Sequence, residues 1–192
     1  RVAVSEFAPE YPEQRNNYSY GLDSANVWRY FATPTPGAPN GNSSLAGLAP
    51  EPHFSVTRGQ FDAPFTLVLS APLEGATIRY TTDGSEPSAT TGLAYSDPLL
   101  ISDTAILRAA VFQSGWVPSR TRTHTYVFPG QVLVQPSSPP GYPATWGTHG
   151  NNSQYFPDNL VPADYEMDPE IVYDPGYGPQ MPAALQALPV VA

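Results

Sequence analysis

Three polar side chains able to bind a metal lie within one short stretch of the sequence, at Asp83, Ser85 and Glu86. Carboxylate and hydroxyl oxygens are the hard ligands that Ca²⁺ prefers, so Asp83 and Glu86 are candidate calcium ligands. The distal bidentate glutamate of an EF-hand does not follow at the required spacing. The alternative is structural, because Asp83-Gly84 is a strong turn signal and the neighbouring polar groups then stabilise the turn.

A second acidic stretch lies towards the C-terminus and is the other candidate for cation binding. Its carboxylates are Asp158, Asp164, Glu166, Asp168, Glu170 and Asp174. Five of them fall at even-numbered positions between 164 and 174, and residues two apart share one face of an extended chain. Pro169 and Pro175 interrupt such a chain, so a solvated acidic surface is the alternative.

The histidines do not form a metal-binding motif. His53, His124 and His149 are far apart, the chain has no cysteine, and a zinc site needs three or four converging ligands. His124 alternates with Thr123 and Thr125, which we interpret as a surface or strand-edge position. We therefore predict no zinc site.

Motifs of nucleophilic and nucleotide chemistry are absent from the sequence. It contains no Gly-x-Ser-x-Gly elbow, no P-loop and no kinase glycine-rich loop. Paired carboxylates for glycoside hydrolysis could be drawn from the acidic residues, but the strand pattern indicates no cleft to hold them. We predict no catalytic residues, no cofactor and no enzymatic activity.

Aromatic residues outside the expected strand interiors are candidates for stacking on the flat faces of sugars. We select Trp116, which follows the turn at Gly115, together with Tyr95 and Trp146 as candidate carbohydrate-binding residues. The alternative is that each ring packs in the core or at an edge of a β-sandwich, which is the common role of an isolated tryptophan.

The charge of the chain argues against nucleic acid as a partner. Its formal net charge is −9, and its estimated pI is 4.5. All eight basic residues are arginine, and binding of phosphate backbones depends on lysine and arginine. No apolar run approaches the roughly 20 residues of a membrane helix, so we predict no membrane insertion. Only 13% of residues are charged, and polarity supplied by uncharged side chains is common in exported proteins.

Strand signals are concentrated between residues 52 and 129. The segments 65–69, 77–81, 99–101, 105–112 and 123–128 are each predicted to be strands, with turns every 8–12 residues. Leu107, Ala109 and Val111 should face inwards and Arg108 outwards, since alternate residues of a strand share a face. This pattern is typical of an all-β fold, a small immunoglobulin- or fibronectin-III-like β-sandwich.

The flanking segments are rich in proline, and 24 of the 192 residues are proline. Residues 1–40 have strand signals only at 2–4 and 27–31, and end in a Pro-rich run. Residues 41–51 are of the flexible-linker type. After residue 129 the chain is predicted to be extended, with a short helix over 182–187 and a strand from Leu188. Both ends look cut, so we expect an internal piece of a larger protein.

The run Ile78-Arg79-Tyr80-Thr81-Thr82-Asp83-Gly84-Ser85-Glu86-Pro87-Ser88 resembles the C-terminal-type module of chitobiase and β-hexosaminidase. This resemblance covers about residues 52–128 and implies a fibronectin-III- or immunoglobulin-like domain appended to secreted bacterial proteins. Residues 11–40 resemble the end of a lamin-tail-type domain. Residues 140–169 resemble the lead-in to a CotH-like kinase-fold domain, although the segment 149–162 is longer and more polar than that lead-in.

These observations predict a non-catalytic structural or spacer module of a secreted or surface-exposed multidomain bacterial protein. Its expected partners are neighbouring domains of the same polypeptide. A carbohydrate-binding accessory module with polysaccharide as its partner is the first alternative. The second is a fragment of a CotH-like protein whose catalytic residues lie beyond Ala192. The predicted domains are a lamin-tail-like remnant at 1–40, a linker at 41–51, the sandwich at 52–129, and a Pro-rich linker with the start of a CotH-like domain at 130–192.

Overall fold

The computed structural model describes residues 6–148 and 160–188, and these ranges are mostly β-structure. The strands in the described ranges are β1 (Ser19–Leu22), β2 (Trp28–Phe31), β3 (Ser44–Leu45), β4 (His53–Phe54), β5 (Gly59–Gln60), β6 (Phe65–Leu67), β7 (Leu69–Ser70), β8 (Thr77–Thr81), β9 (Leu93–Ala94), β10 (Leu99–Ile101), β11 (Ala105–Phe112), β12 (Arg122–Val127), β13 (Thr145–Thr148) and β14 (Leu160–Pro162). The helices there are α1 (Pro129–Val132), α2 (Pro169–Val172), a 3-10 turn (Gly178–Gln180) and α3 (Met181–Gln186). The predicted all-β fold is confirmed.

The larger layer of the sandwich is a five-stranded sheet in the order β5-β12-β11-β8-β9. The long central strand β11 pairs antiparallel with β12 on one side and with β8 on the other. Leu107, Ala109 and Val111 are fully buried, as the alternation predicts, whereas Arg108 lies on the opposite face. This face of β11 is the centre of the core.

The smaller layer is made of β4, β6, β7 and β10. β6 and β7 are separated only by Val68, whose N–H donates to Ser55 Oγ at 2.8 Å and whose carbonyl accepts from the Ser55 N–H at 2.9 Å. The two strands therefore act as one, with β10 paired along β6 and β4 paired along β7. Leu67 and Leu69 face the core and Val68 faces solvent, so this segment alternates as a strand with one buried face does.

The first segment of the sandwich, which carries β4 and β5, contributes to both layers. β4 pairs antiparallel with β7, and a few residues later β5 pairs parallel with β12 in the other sheet. Between the two, the carbonyl of Val56 accepts a hydrogen bond of 2.9 Å from the hydroxyl of the fully buried Tyr126. Tyr126 thus fixes the point at which the chain crosses from one layer to the other.

The N-terminal flank forms a small antiparallel sheet in the order β1-β2-β3. β2 confirms the strand predicted over 27–31, whereas β1 lies in a stretch we expected to be irregular. The strand predicted over 2–4 lies outside the described residues. The Pro-rich run turns at residues 35–38, where the Ala38 N–H donates to the Thr35 carbonyl at 3.1 Å.

The segment predicted to be a linker makes backbone hydrogen bonds to the chain on both sides. Its strand β3 pairs with β2, and its Leu48 forms a parallel bridge with Val117 of the sandwich. The Val117 N–H donates to the Gly47 carbonyl at 2.9 Å, and the Ala49 N–H donates to the Val117 carbonyl at 2.8 Å. Glycine and small residues suit a flexible chain, but they also let two backbones approach closely enough to pair.

The C-terminal flank is folded into short elements and does not run extended throughout. β13 pairs with β14, and α2, the 3-10 turn and α3 follow. α3, with Pro182 in its first turn, confirms the predicted short helix. The strand predicted from Leu188 lies, apart from that residue, outside the described ranges. In the part of the chain that the structure describes, no helix is long and apolar enough to cross a bilayer.

Candidate functional site

The Asp83 carboxylate is part of a tight turn. Its oxygen accepts hydrogen bonds from the Ser85 N–H at 2.9 Å and from the Ser85 hydroxyl at 2.6 Å. These bonds, the hydroxyl first and then the backbone N–H, lower the pKa of Asp83 below its ordinary value. Gly84 between them has φ of +79°, which glycine adopts readily. The Asp-Gly turn expected from the sequence is present.

Glu86 is paired with groups of the sandwich. Its carboxylate accepts from the Arg108 guanidinium and from the Thr121 hydroxyl, and Arg108 also donates to the Gly84 carbonyl at 2.8 Å. Asp83 and Glu86, the calcium candidates, therefore have separate protein partners. Within residues 6–148 and 160–188 no three His, Asp or Glu side chains gather as metal ligands.

The acidic stretch is not one extended face. Asp168 caps α2 by accepting from the Glu170 N–H at 2.9 Å, and Asp174 accepts from the N–H groups of Gly176 and Tyr177 at 2.7 and 2.8 Å. Asp168 and Asp174 thus cap a helix and close a turn, because their side chains bond to backbone N–H groups two or three residues ahead. Asp158 lies outside the described residues.

His124 is buried, which corrects its interpretation as a surface or strand-edge residue. It lies on β12 with 7% exposure, its ring stacks on Phe54 at 4.1 Å, and its Nδ1 lies 3.4 Å from the Tyr126 hydroxyl. Residues two apart on a strand share a face, so the alternation His124, Tyr126, Phe128 was the signal that placed it inside. Burial lowers its pKa, and the positive charges of Arg122 and Arg58 lower it further.

The protein should lose stability in mild acid because of His124. Its pKa is lowered in the folded state, so below about pH 6.5 the unfolded state binds the extra proton. We expect the urea midpoint to be flat above pH 7 and to fall between pH 6.5 and 5. The carboxylates with lowered pKa, Asp23 and Asp83, lose their contribution only in stronger acid, as the pH falls below their ordinary 3.8.

The measurement is a series of urea unfolding curves from pH 7.5 to 5 on the full chain and on His124→Phe, which keeps a ring beside Phe54. The variant should have a flatter profile over this range. His53→Gln, on the exposed side of β4, is the matched control and should follow the parent. An unchanged slope in His124→Phe would show that another group causes the acid effect.

The three sugar-stacking candidates lie in different places. Tyr95 is half-buried against the core, so it fits the packing alternative. Trp146 is 60% exposed on β13 and packs edge-on against Tyr165, with ring centroids 5.8 Å apart. Trp116 is half-buried beside β3, where its ring approaches Gly47 so closely that an added Cβ would lie 3.0 Å from Cζ3.

Trp116 lines a cleft between the N-terminal sheet and the sandwich. The cleft has a volume of about 520 Å³, within the range of small-molecule sites. Its walls are Tyr18, Ala32, Leu45, Thr77, Arg79, Ala89, Phe112, Gln113, Ser114, Trp116 and Pro118. Aromatic and aliphatic surface is thus combined with a few polar groups, and none of the lining side chains is acidic.

A second cleft of about 340 Å³ adjoins the first. It is lined by Gln14, Arg15, Asn16, Tyr18, Val117, Pro118, Ser119 and Arg120, and it shares Tyr18 and Pro118 with the Trp116 cleft. Sequence reasoning missed Arg15, Tyr18 and Gln113, because no local motif marks them. Residues on opposite sides of the predicted linker meet here only because the N-terminal sheet docks on the sandwich.

Comparison with known families matches residues 56–123 to the chitobiase/β-hexosaminidase C-terminal domain, about a third of the chain. No curated protein and no solved structure matches. The matched segment contains the Asp83 turn, β8 and β11. That family is a non-catalytic immunoglobulin-like module found in glycoside hydrolases, and such domains are typically extracellular. The central segment of this chain is therefore similar to a non-catalytic accessory β-sandwich.

Proposed function

We propose that this chain is a non-catalytic spacer module that holds the segments on its two sides at a fixed distance and orientation, in an exported multidomain bacterial protein. The observation that carries the proposal is that the two flanks dock at opposite ends of the sandwich. The similarity of residues 56–123 to a typically extracellular accessory domain supports the proposal that the protein is exported. The lamin-tail-type and CotH-like assignments of the flanks stay predictions, and the proposal does not require them.

The N-terminal flank docks at the end of the sandwich where β11 finishes. The Ala46 N–H donates to the Gly115 carbonyl at 2.7 Å, and the backbone bonds of Gly47 and Ala49 to Val117 continue this pairing. An ion pair of 3.2 Å between Arg120 and Glu13 adds a side-chain contact. Because several backbone bonds are made in register, this flank cannot rotate freely about the junction.

The C-terminal flank docks at the end where β11 begins. In α1, the Gln131 side chain donates to the Ser102 carbonyl at 2.8 Å and accepts from the Thr104 N–H at 3.1 Å. In α3, the Gln186 side chain donates to the Asp62 carboxylate at 2.6 Å. The Gln60 side chain donates to the carbonyls of Leu185 and Leu188, each at 3.1 Å.

The length of β11 separates the two docking sites. Eight residues rising about 3.3 Å each span roughly 23–26 Å. A sandwich that pairs with a flank at each end transmits orientation, whereas a Gly/Ser linker would allow a broad distribution of distances. The arrangement is therefore suited to positioning neighbouring domains.

We expect the distance between the two flanks to be narrowly distributed. The chain has no cysteine, so Ser24→Cys and Glu170→Cys introduce two unique labelling sites, both exposed. Pulsed electron spin resonance of the labelled chain should give one narrow distance peak. Removing the α3 contacts with Gln60→Ala and Gln186→Ala should broaden that peak.

The matched control is Gln180→Ala. Gln180 bonds to the Gly176 carbonyl at 2.7 Å within the C-terminal flank and does not hold it to the sandwich. The control should leave the distribution unchanged. A broad distribution in the unmodified chain would contradict the spacer function.

Carbohydrate binding is a second candidate function, favoured by the cleft at Trp116. A tryptophan ring beside hydroxyl and amide groups can stack on a sugar face while the polar groups bond to its hydroxyls. The cleft lies between two packed units, which is a common location of ligand sites. The absence of acidic side chains from its walls argues for binding and against glycoside hydrolysis there, because that reaction requires a pair of carboxyl groups.

A further inference from the structure

We propose that the Trp116 cleft and the adjoining Arg15–Arg120 cleft form one groove that binds an oligosaccharide carrying carboxylate groups. This inference rests on the second proposed function and names its ligand class. The two clefts share Tyr18 and Pro118, so a ligand longer than one sugar unit can pass from one to the other. Their volumes of about 520 and 340 Å³ together suit a short chain of sugars.

The charge of the groove is opposite to that of the protein. The chain has 17 acidic and 8 basic residues, yet the groove is lined by Arg79, Arg15 and Arg120 and by no acidic side chain. Glu13 pairs with both Arg15 and Arg120, so one carboxylate is shared between two guanidinium groups. A positive charge therefore remains, and guanidinium groups bind carboxylates with paired, geometrically matched hydrogen bonds.

Two buried polar atoms of the groove residues have no hydrogen-bond partner within the protein. They are Arg15 Nε, a donor, and Gln113 Oε1, an acceptor. Buried polar groups in folded proteins are nearly always hydrogen-bonded, and an unpaired one costs free energy. Both atoms are covered by the protein itself, so a ligand would reach the exposed parts of the side chains that line the groove and not these two atoms.

The stacking surface is supplied by Trp116 and Tyr18. The Trp116 ring is held against Gly47, whose backbone is in turn paired with Val117, so the ring is positioned before any ligand arrives. A ring fixed in this way loses little rotational freedom on binding, which favours affinity. Gln14, Asn16 and Ser114 line the same groove with side chains that can bond to hydroxyls.

The experiment is isothermal titration of the full chain with two tetrasaccharides, the acidic tetragalacturonic acid and the neutral cellotetraose. We expect the acidic ligand to bind with an affinity that falls as salt is raised, because exposed charges are screened. We expect the neutral ligand to bind at least tenfold more weakly. Trp116→Ala and Arg120→Gln should each weaken the acidic ligand about tenfold.

Two matched variants serve as controls. Trp146→Ala removes an exposed tryptophan outside the groove, and Arg58→Gln removes an exposed arginine outside it. Both should bind like the parent. Arg120 is itself well exposed, so Arg120→Gln keeps the test decisive even where Trp116→Ala perturbs folding.

The outcomes distinguish a failure of the carboxylate preference from a failure of carbohydrate binding altogether. Equal binding of the acidic and neutral ligands, abolished by Trp116→Ala, would overturn the carboxylate preference and leave carbohydrate binding in place. Binding of neither ligand would overturn both. Acidic binding that is insensitive to Trp116→Ala and Arg120→Gln would overturn the assignment to this groove.

Discussion

Replacing Tyr126 with alanine is expected to lower the free energy of unfolding by about 3–5 kcal/mol, a large part of the stability of a small domain. Tyr126 is fully buried, and its ring contacts Phe65 at 5.2 Å and Phe61 at 5.7 Å between centroids. Removing it leaves a cavity between the two layers. Urea unfolding followed by circular dichroism on the full chain measures the loss.

The variant Tyr126→Phe separates the contribution of the hydroxyl to stability from that of the ring. It keeps the aromatic packing and leaves the Val56 carbonyl without its partner, so we expect a smaller loss of about 1–3 kcal/mol. Tyr177→Ala, at a tyrosine that is 66% exposed, should have little effect. Equal losses for the phenylalanine and alanine variants would mean that the hydroxyl, and not the packing, carries the contribution.

Replacing Gly92 with alanine is expected to cost roughly 2–4 kcal/mol. Gly92 has φ of +90°, and an added Cβ would lie 2.7 Å from the backbone oxygen of Tyr80. Backbone of a central strand cannot move aside as a flexible side chain would. The carbonyl of Gly92 also accepts from the Arg79 guanidinium at 2.8 Å, so a shift of this residue breaks a further bond.

Gly84→Ala is the matched comparison. Gly84 has a similar φ of +79°, and nothing lies within 4 Å of the position of an added Cβ. Only the cost of the left-handed backbone applies, about 1 kcal/mol. The difference between the two variants in urea unfolding measures the clash itself, and a difference near zero would show that β8 and the Gly92 turn can separate freely.

Polar side chains in the run from Ile78 to Ser88 bond to one another and to the sandwich. The Thr81 hydroxyl donates to the Ser85 carbonyl at 2.6 Å, the Asp83 carboxylate accepts from Ser85, and Pro87 is buried. Together with the pairing of Glu86 and Arg108, these bonds close the loop that follows β8 and hold it to β11. A motif of polar residues with specific spacing is therefore compatible with a purely structural role.

The difference between the calcium and carbohydrate candidates illustrates how neighbours decide the chemistry of a side chain. Asp83 and Glu86 have oxygen ligands of the right type, but each is bonded to its own protein partner. Trp116 carries no local signal beyond its position after a turn, and its proposed role in binding rests on the cleft around it. The type of each side chain decided which ligands it could bind, and its contacts in the fold decided whether it faces a partner within the protein or an open cleft.

The spacing of apolar residues predicted the longer strands of the sandwich, but not the two-residue strands β4, β5 and β9. Alternation is a local property, since neighbouring side chains of any strand point to opposite sides. It placed Leu107 and Val111 in the core, and a different local signal, Pro182 in the first turn, predicted α3. By the same rule His124 shares the inward face of Tyr126, two residues away on β12. The flanking threonines had suggested an exposed strand instead.

The structure of the segment predicted to be a linker, and the groove beside it, depend on pairing between residues that are far apart in the sequence. The sequence from Gly41 to Pro50 has the composition of a flexible segment, and only the pairing of β3 with β2 and the parallel bridge of Leu48 to Val117 make it part of the β-structure. The bridge joins residues about 70 positions apart, and a strand edge carries no local mark of its partner. The polar residues able to do chemistry were thus identifiable from the sequence itself. The bonds of Asp83 lie within its own turn, whereas the cleft that Trp116 faces exists only because the N-terminal flank packs on the sandwich.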